Sequence, residues 1–171
     1  VTTHYRFAPP PARVRHATVA AADGTGLLEV TYAPAADLWR INQKARREKA
    51  DGFAIDPKTG DWTRHSDDEP DEDEPEPTTP RVITGIKTFV TDARNLLLLR
   101  PIGKEKDGGF LYSLLYALQR GIQFTYQVEE QEVAAELVGM GEHTRLLLWE
   151  AAEGGTGVWE RLLEDGSGFA Q

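Results

Sequence analysis

Between an apolar run and a predicted helix, the chain carries Glu150-Ala-Ala-Glu153-Gly154-Gly155-Thr-Gly157. Glycines at a strand-to-helix junction let the backbone approach a ligand or another backbone closely, and a helix start offers free N–H groups to an anion. The pattern therefore favours either a phosphate site or a tight turn needed for packing. The two glutamates would repel a phosphate, and no lysine follows in the phosphate-loop pattern GxxxxGK[ST]. We therefore favour the packing turn.

A second group of residues is suited to contacting a phosphate backbone. Basic residues crowd the stretch 40–49, where only Glu48 interrupts them. On a helix, Arg40, Lys44 and Arg47 would share one face and could follow a nucleic-acid backbone, with a neighbouring tryptophan for stacking. The alternatives are a solvated helix face and a partner for an acidic linker. The candidate DNA-binding residues are Trp39, Arg40, Asn42, Lys44, Arg46 and Arg47.

Two further groups of polar and aromatic side chains have structural interpretations. Asp92, with Arg94 and Asn95, predicts a buried turn between two strands, held by side-chain hydrogen bonds. Aromatic residues on a predicted helix and the segment after it are expected to pack in the core. These are Tyr112, Tyr116, Phe124 and Tyr126.

Several classes of chemistry find no support. The chain has no cysteine, which excludes disulfides, thiolate zinc sites and cysteine nucleophiles. Its four histidines are too scattered to suggest a local metal site. It has no phosphate loop, its serines lie outside any nucleophile-elbow motif, and nothing selects one catalytic pair among its carboxylates. We predict no catalytic residue, no metal and no cofactor on this chain.

The net charge of −9 would disfavour nucleic acid, but most of it lies in one stretch. Residues 66–80, SDDEPDEDEPEPTTP, are acidic and proline-rich, and the rest of the chain is almost neutral. Such a stretch predicts a solvated linker, with a nucleic-acid mimic as the alternative. No apolar run is long enough to span a membrane and no signal peptide opens the chain, so we expect a soluble, cytoplasmic protein. Because the chain begins at Val1 rather than Met, we expect a segment of a longer protein.

In the first half, β-forming stretches 13–21 and 27–32 flank Asp23-Gly24-Thr25-Gly26, which predicts a hairpin. Pro34 then opens AADLWRINQKARREKA, which favours a short helix carrying the basic residues. Residues 52–56 predict a strand, followed by a turn over 57–61.

The second half predicts strands over 83–91 and 95–100, a helix over 110–123 and a helix or strand over 129–138. It ends with a buried strand over 145–151 and a helix over 157–164. The predicted class is α+β, a mixed sheet with packed helices. We expect a β-rich part over 1–65, the linker over 66–80 and a strand–helix part over 81–171.

The apolar strand ending in an acidic residue, followed by Gly-Gly-small-Gly and a helix, resembles the MrfA-like zinc-binding domain of large superfamily-two helicases. The resemblance covers residues 82–165, with a weaker likeness in Tyr32-Ala33-Pro34 and in Leu38 to Asn42. Related large helicases occur in anti-phage islands of the DISARM and Druantia kinds. Two departures stand out: Glu150 replaces the more usual aspartate, and the family's zinc-binding cysteines are absent. We therefore expect no zinc here.

The resemblance implies an accessory domain that guides DNA beside the helicase motor, in phage defence or DNA repair. ATP and Mg²⁺ would be bound by motor domains on another part of the parent polypeptide or on a partner chain, and no membrane would be involved. The alternative is a protein-docking or architectural module of the same helicase, which predicts an exposed apolar surface.

Overall fold

The computed structural model describes residues 2–7, 13–43, 51–63, 82–103, 107–152 and 154–164. The strands are β1 (Thr2–Arg6), β2 (Arg15–Ala20), β3 (Gly26–Asn42), β4 (Phe53–Ile55), β5 (Trp62–Thr63), β6 (Ile83–Ile86), β7 (Thr88–Pro101), β8 (Val133–Val138) and β9 (Arg145–Glu150). The helices are α1 (Gly108–Tyr126) and α2 (Val158–Glu164), and 3-10 turns cover Glu130–Glu132 and Gly141–His143. The predicted α+β class is confirmed.

The strands form two sheets. In the larger sheet the order is β1-β3-β7-β9-β8, with β2 also paired to β3, and in the smaller sheet it is β5-β4-β6. The chain divides into two compact units, one made of Val1–His4 and Trp39–Thr91 and the other of Tyr5–Leu38 and Asp92–Gln171. The acidic stretch 66–80 lies outside the described residues, so the expected linker and the boundaries around it stay predictions.

The hairpin expected near residue 24 is confirmed. β2 and β3 pair antiparallel, and the Asp23 carboxylate accepts a hydrogen bond from the Thr25 N–H at 2.9 Å. That bond holds the turn, because aspartate can satisfy the backbone two residues further on. In the other unit, the strand expected over 52–56 is present as β4, and the Asp56 carboxylate closes the following turn through the Lys58 N–H at 2.7 Å.

The helix expected from Pro34 onward is wrong as far as Asn42, because β3 runs through this stretch. Ala36 and Leu38 are buried and alternate with more exposed neighbours, which is the two-residue period of a strand. Pro34 is accommodated by a local irregularity, since Ala35 takes a positive φ of 50° and donates its N–H to the Asn95 side chain at 3.1 Å. A partner sixty residues away therefore stabilises the strand against local helix preference.

β7 supplies the centre of the core in the second unit. Its leucines at 96, 97 and 99 are completely buried, with Leu97 and Leu99 packing on one face of the sheet and Leu96 on the other. A strand covered on both faces has a continuous apolar run, which explains why the four leucines 96–99 show no alternation. The turn expected at Asp92, Arg94 and Asn95 is wrong, because all three residues lie within this continuous strand.

α1 and α2 both pack on the face of the sheet that carries Leu97 and Leu99. α1 begins earlier than the apolar spacing predicts, because the Asp107 carboxylate caps it by accepting from the Phe110 N–H at 2.7 Å. It continues past Gly121 and ends at Tyr126, and the residue that caps its C-terminal end, Gln127, is left-handed with φ 52°. The segment expected as helix or strand over 129–138 is a 3-10 turn followed by β8, while the expected strand and helix at the C-terminal end are confirmed as β9 and α2.

Candidate functional site

The glycine motif forms a corner between β9 and α2. β9 ends at Glu150, and α2 begins at Val158. Between them Gly154, Gly155 and Gly157 take positive φ values of 81°, 77° and 71°. L-residues with a side chain adopt this region only at a cost, so a turn with three such positions requires glycine there. Glu153, the other acidic residue of the motif, lies outside the described residues.

The Glu150 carboxylate fills the inside of this corner and is fully buried. Its Oε1 accepts hydrogen bonds from the Val158 N–H at 2.6 Å and the Trp159 N–H at 3.4 Å. Its Oε2 accepts from the Thr156 N–H at 3.1 Å and from the Asn95 Nδ2 at 2.8 Å. Four donors thus converge on one carboxylate, and three of them are backbone groups at the start of α2.

This arrangement bears directly on whether the corner could hold a phosphate. The N–H groups at a helix start attract an anion, and here the anion is the side chain of Glu150. A phosphate would have to displace a buried carboxylate and its four hydrogen bonds, and it would meet like charge. The geometry therefore supports the interpretation of this turn as a packing corner.

Asn95 connects the corner to the sheet in three directions. Its Oδ1 accepts from the Ala35 N–H at 3.1 Å, its Nδ2 donates to Glu150, and its backbone carbonyl accepts from the Trp159 indole Nε1 at 3.0 Å. Trp159 is itself completely buried. One asparagine thus joins β3, the end of β9 and α2.

Asp92 reaches the same corner through Arg94. The Arg94 guanidinium donates to the Ala151 carbonyl at 2.7 Å and forms an ion pair with the Asp92 carboxylate at 2.9 Å. Ala151 directly follows Glu150, so the arginine fixes the first residue of the turn. The structure therefore brings together Asp92, Glu150 and the three glycines at one place.

The sequence pattern identified the glycines and Glu150 but not the partnership of Glu150 with Asn95. The sequence instead predicts a separate turn that contains Asn95, Asp92 and Arg94. The available signal was a polar residue directly before a run of four leucines, since a buried polar side chain next to such a run needs a partner. Which partner it finds depends on the pairing of β7 with β9, where Leu96 lies opposite Trp149.

Tyr32 anchors the outer side of α2. Its ring is buried, and its hydroxyl donates to the Glu160 Oε1 at 3.2 Å. Burial raises the pKa of Tyr32 above its ordinary value, and the nearby Glu160 carboxylate raises it further. The phenol therefore stays neutral and keeps donating over the physiological range.

The candidate DNA-binding residues lie in the other unit, and only part of the set is described. Trp39, Arg40 and Asn42 occupy the last residues of β3, whereas Lys44, Arg46 and Arg47 lie outside the described residues. The shared helical face expected for Arg40 is wrong, because successive strand residues point to opposite sides. Arg40 and Asn42 share one side of the strand, and Trp39 faces the other.

The aromatic residues of α1 do not all pack in the core as expected. Tyr126 is buried, but Tyr112, Tyr116 and Phe124 are 66%, 60% and 87% exposed. The prediction is wrong for these three because the core-facing positions are the leucines 111 and 115, one residue earlier in the helical repeat. α1 therefore presents an aromatic outer face.

Among the described residues, no group of three or more histidine, cysteine, aspartate or glutamate side chains is placed to hold a metal ion. Within the same ranges, neither helix is long and apolar enough to cross a membrane.

Comparison with known proteins gives one structural likeness. No protein-family model and no curated protein matches the chain. Among solved structures, it is similar to the crystal structure of the DUF1998 helicase MrfA bound to DNA, with 12% sequence identity and a TM-score of 0.43. The match covers 96% of this chain and 20% of the helicase chain, so this chain spans about one fifth of its length. A likeness at this level carries no conclusion about the family or function of the chain.

Proposed function

We propose that this chain is a non-motor accessory domain of a DNA helicase and contacts DNA through the basic segment that begins at Arg40. The order of strand, acidic residue, glycine turn and helix supports the helicase assignment. In this proposal the chain itself is not an enzyme and binds no cofactor. ATP and Mg²⁺ belong to motor domains elsewhere, in a parent protein that acts in phage defence or DNA repair.

The surroundings of Arg40 are the observation that carries the DNA contact. The arginine is exposed, and among the described residues no carboxylate lies within ion-pairing distance of it. By contrast, Arg6, Arg100 and Arg120 each form an ion pair with an acidic side chain. A cation that is already paired gains little from a phosphate, whereas an exposed cation without an acidic partner releases counterions fully when it binds DNA.

The sequence around Arg40 extends this positive charge. Four further basic residues follow within nine positions, and the chain outside the acidic stretch is almost neutral. Local positive charge sets the affinity for a phosphate backbone even when the protein as a whole is acidic. Asn42, on the same side of β3 as Arg40, adds a polar group that can donate to phosphate or sugar oxygens.

The buried corner supports a scaffold role for the second unit. All four hydrogen bonds of the Glu150 carboxylate are internal to the protein, so the motif is committed to holding α2 on the sheet. In this proposal the corner stabilises the second unit and carries out no chemistry.

Replacement of Arg40, Lys44, Arg46 and Arg47 by alanine tests the proposed function. We expect DNA affinity at moderate salt to fall by about tenfold to a hundredfold, since each phosphate that the protein no longer neutralises keeps its counterions. The slope of log K against log salt should become shallower by about 0.9 for each such phosphate. Fluorescence anisotropy with a labelled duplex and a labelled single strand, at several salt concentrations, measures both quantities.

A second quadruple variant removes the same charge from elsewhere. Replacement of Arg6, Lys87, Arg100 and Arg120 by alanine lowers the net charge equally, and each of these residues forms an exposed ion pair of a kind that contributes little to stability. We expect it to retain most of the affinity and the salt slope. If both variants bind DNA equally weakly, the loss of affinity is explained by net charge alone. If the first variant binds as tightly as the wild type, the basic segment does not contact DNA.

A further inference from the structure

The outer strand β8 offers backbone groups for pairing with another chain. Within the part of the chain that the structure describes, β8 ends the larger sheet and pairs only with β9. The Ala151 N–H donates to the Glu132 carbonyl at 2.8 Å, so in the antiparallel register hydrogen-bonded pairs recur at 134, 136 and 138. The N–H and C=O groups of Val133, Ala135 and Leu137 therefore point away from β9.

One of these outward groups is already used. The Gln119 Nε2 of α1 donates to the Val133 carbonyl at 2.8 Å, which covers the beginning of the outer edge. Ala135 and Leu137 lie beyond this bond and border a groove of about 290 Å³ between α1 and β8. The opposite wall of the groove is formed by Tyr112 and Tyr116. A second hollow of about 400 Å³ continues the groove past Tyr112 and Leu137 toward Gly139.

A helix beside the outward edge of a strand fits an extended peptide. The peptide backbone pairs with the outward N–H and C=O groups, and alternate side chains enter the space under the helix. The small side chain of Ala135 leaves room opposite Tyr116, and the floor near Leu115 is apolar. The side chains opposite Ala135 and Leu137 would face α1 and should therefore be apolar.

The charge around β8 predicts the type of the peptide residue that lies between these two apolar side chains. From Glu129 to Glu142 the chain carries five glutamates and no lysine or arginine. Glu136 lies between Ala135 and Leu137 and points to the opposite face of the sheet, so a basic side chain directly across from it is favoured. Arg120, the one cation of α1, forms an ion pair with Glu130 at 2.8 Å, and its guanidinium lies 5.3 Å from the centre of the Tyr116 ring.

From this geometry we infer that the groove between α1 and β8 binds an extended peptide segment of a partner protein, with apolar and basic residues alternating. The peptide adds a strand next to β8, places apolar side chains under Tyr112 and Tyr116, and sets a lysine or arginine beside Glu136. This site lies in a different unit from the Arg40 segment.

The inference is tested on the full chain with a fluorescein-labelled peptide SKVKVKVS. A scrambled peptide of the same composition, SKKKVVVS, and a charge-reversed peptide, SEVEVEVS, serve as comparisons. We expect the alternating peptide to bind at least tenfold more tightly than either, because only it matches both the strand period and the charge. Amide hydrogen exchange at Ala135 and Leu137 should slow when this peptide is added.

Three variants localise the site. Ala135→Pro removes an outward donor without breaking the ladder to β9, since proline is tolerated where the N–H faces away from the sheet. It should weaken peptide binding by about tenfold or more. Tyr116→Ala should weaken it severalfold, whereas Phe124→Ala, on the same helix but outside the groove, should leave it within about twofold.

Other results would overturn the inference. Equal binding of the alternating and scrambled peptides, or unchanged exchange at both amides, would exclude strand addition; the exchange readout stays informative if Ala135→Pro does not fold. Loss of DNA binding in Tyr116→Ala would assign the groove to nucleic acid. A concentration-dependent dimer in sedimentation experiments, with the same amides protected in the absence of peptide, would assign it to a second copy of the chain.

Discussion

Replacing Glu150 by alanine is expected to destabilise the protein by about 3–5 kcal/mol, because the change leaves a group of buried donors without an acceptor. The carboxylate is fully buried and accepts from Asn95 and from three backbone N–H groups at the start of α2. Alanine supplies no acceptor, and it also leaves a cavity next to Trp159. For a domain of this size, the expected loss lowers the melting temperature by about 10 °C.

A graded series separates the contributions of shape and charge at Glu150. Glu150→Gln keeps the size but turns an NH₂ group toward two donors, so we expect it to lose about 2 kcal/mol. Glu164→Gln, at an exposed position of α2, is the matched control and should change stability by less than about 1 kcal/mol. Urea unfolding followed by circular dichroism gives these values.

The outcome of this series bears on the role of the corner. A variant Glu150→Gln as stable as the wild type would mean that the carboxylate is not needed to hold α2. A bound phosphate could then take the place of the Glu150 carboxylate at this corner. If the Glu150 variants instead lose much stability but keep their DNA affinity, the corner stabilises the fold and takes no part in DNA binding.

The elements that the sequence predicted correctly are those whose stabilising contacts are local. The β2–β3 turn is held by Asp23 and Thr25, two residues apart, and the turn after β4 is held by Asp56 and Lys58, also two residues apart. Composition and short-range spacing contain this information, because the interacting groups are close in the chain.

The elements predicted wrongly are those that depend on distant partners. Pro34 followed by residues with good helix propensity favours a helix, yet β3 continues through this stretch because Asn95 satisfies the Ala35 N–H. Asn95 and Arg94 resemble turn residues for the same reason, since their partners Glu150 and Ala151 lie more than fifty residues away. Tertiary hydrogen bonds of this kind override local propensity.

The exposed aromatic face of α1 is a different case, because the sequence contained the signal. Leu111 and Leu115 are buried, and Tyr112 and Tyr116 follow each of them by one residue, about 100° around the helix. Helical position therefore distinguishes the buried leucines from the exposed tyrosines, whereas residue type alone predicts that both are buried. The pairing of this face with the outward edge of β8 required the structure, because it depends on sheet order.

The largest contrast between neighbouring substitutions is expected at Gly154 and Gly155. Both glycines have a positive φ, so alanine at either position should cost about 1 kcal/mol from backbone strain alone. A Cβ at Gly154 would meet nothing within 4 Å, whereas at Gly155 it would overlap the Glu150 Oε2 and lie 2.5 Å from the Asn95 Nδ2. Gly155→Ala should therefore cost about 3 kcal/mol or more, measured by urea unfolding beside Gly154→Ala.

A double-mutant cycle shows whether this cost comes from the buried carboxylate. In a Glu150→Ala background the overlap with Oε2 is gone and only the close contact with the Asn95 Nδ2 remains, so the added cost of Gly155→Ala should fall. A coupling of about 2 kcal/mol between Glu150 and Gly155 would show that the glycine is needed for close approach to the carboxylate. Additive effects would contradict this, because the glycine would then serve only the backbone conformation, and the requirement for Gly155 would be no different from that for Gly154.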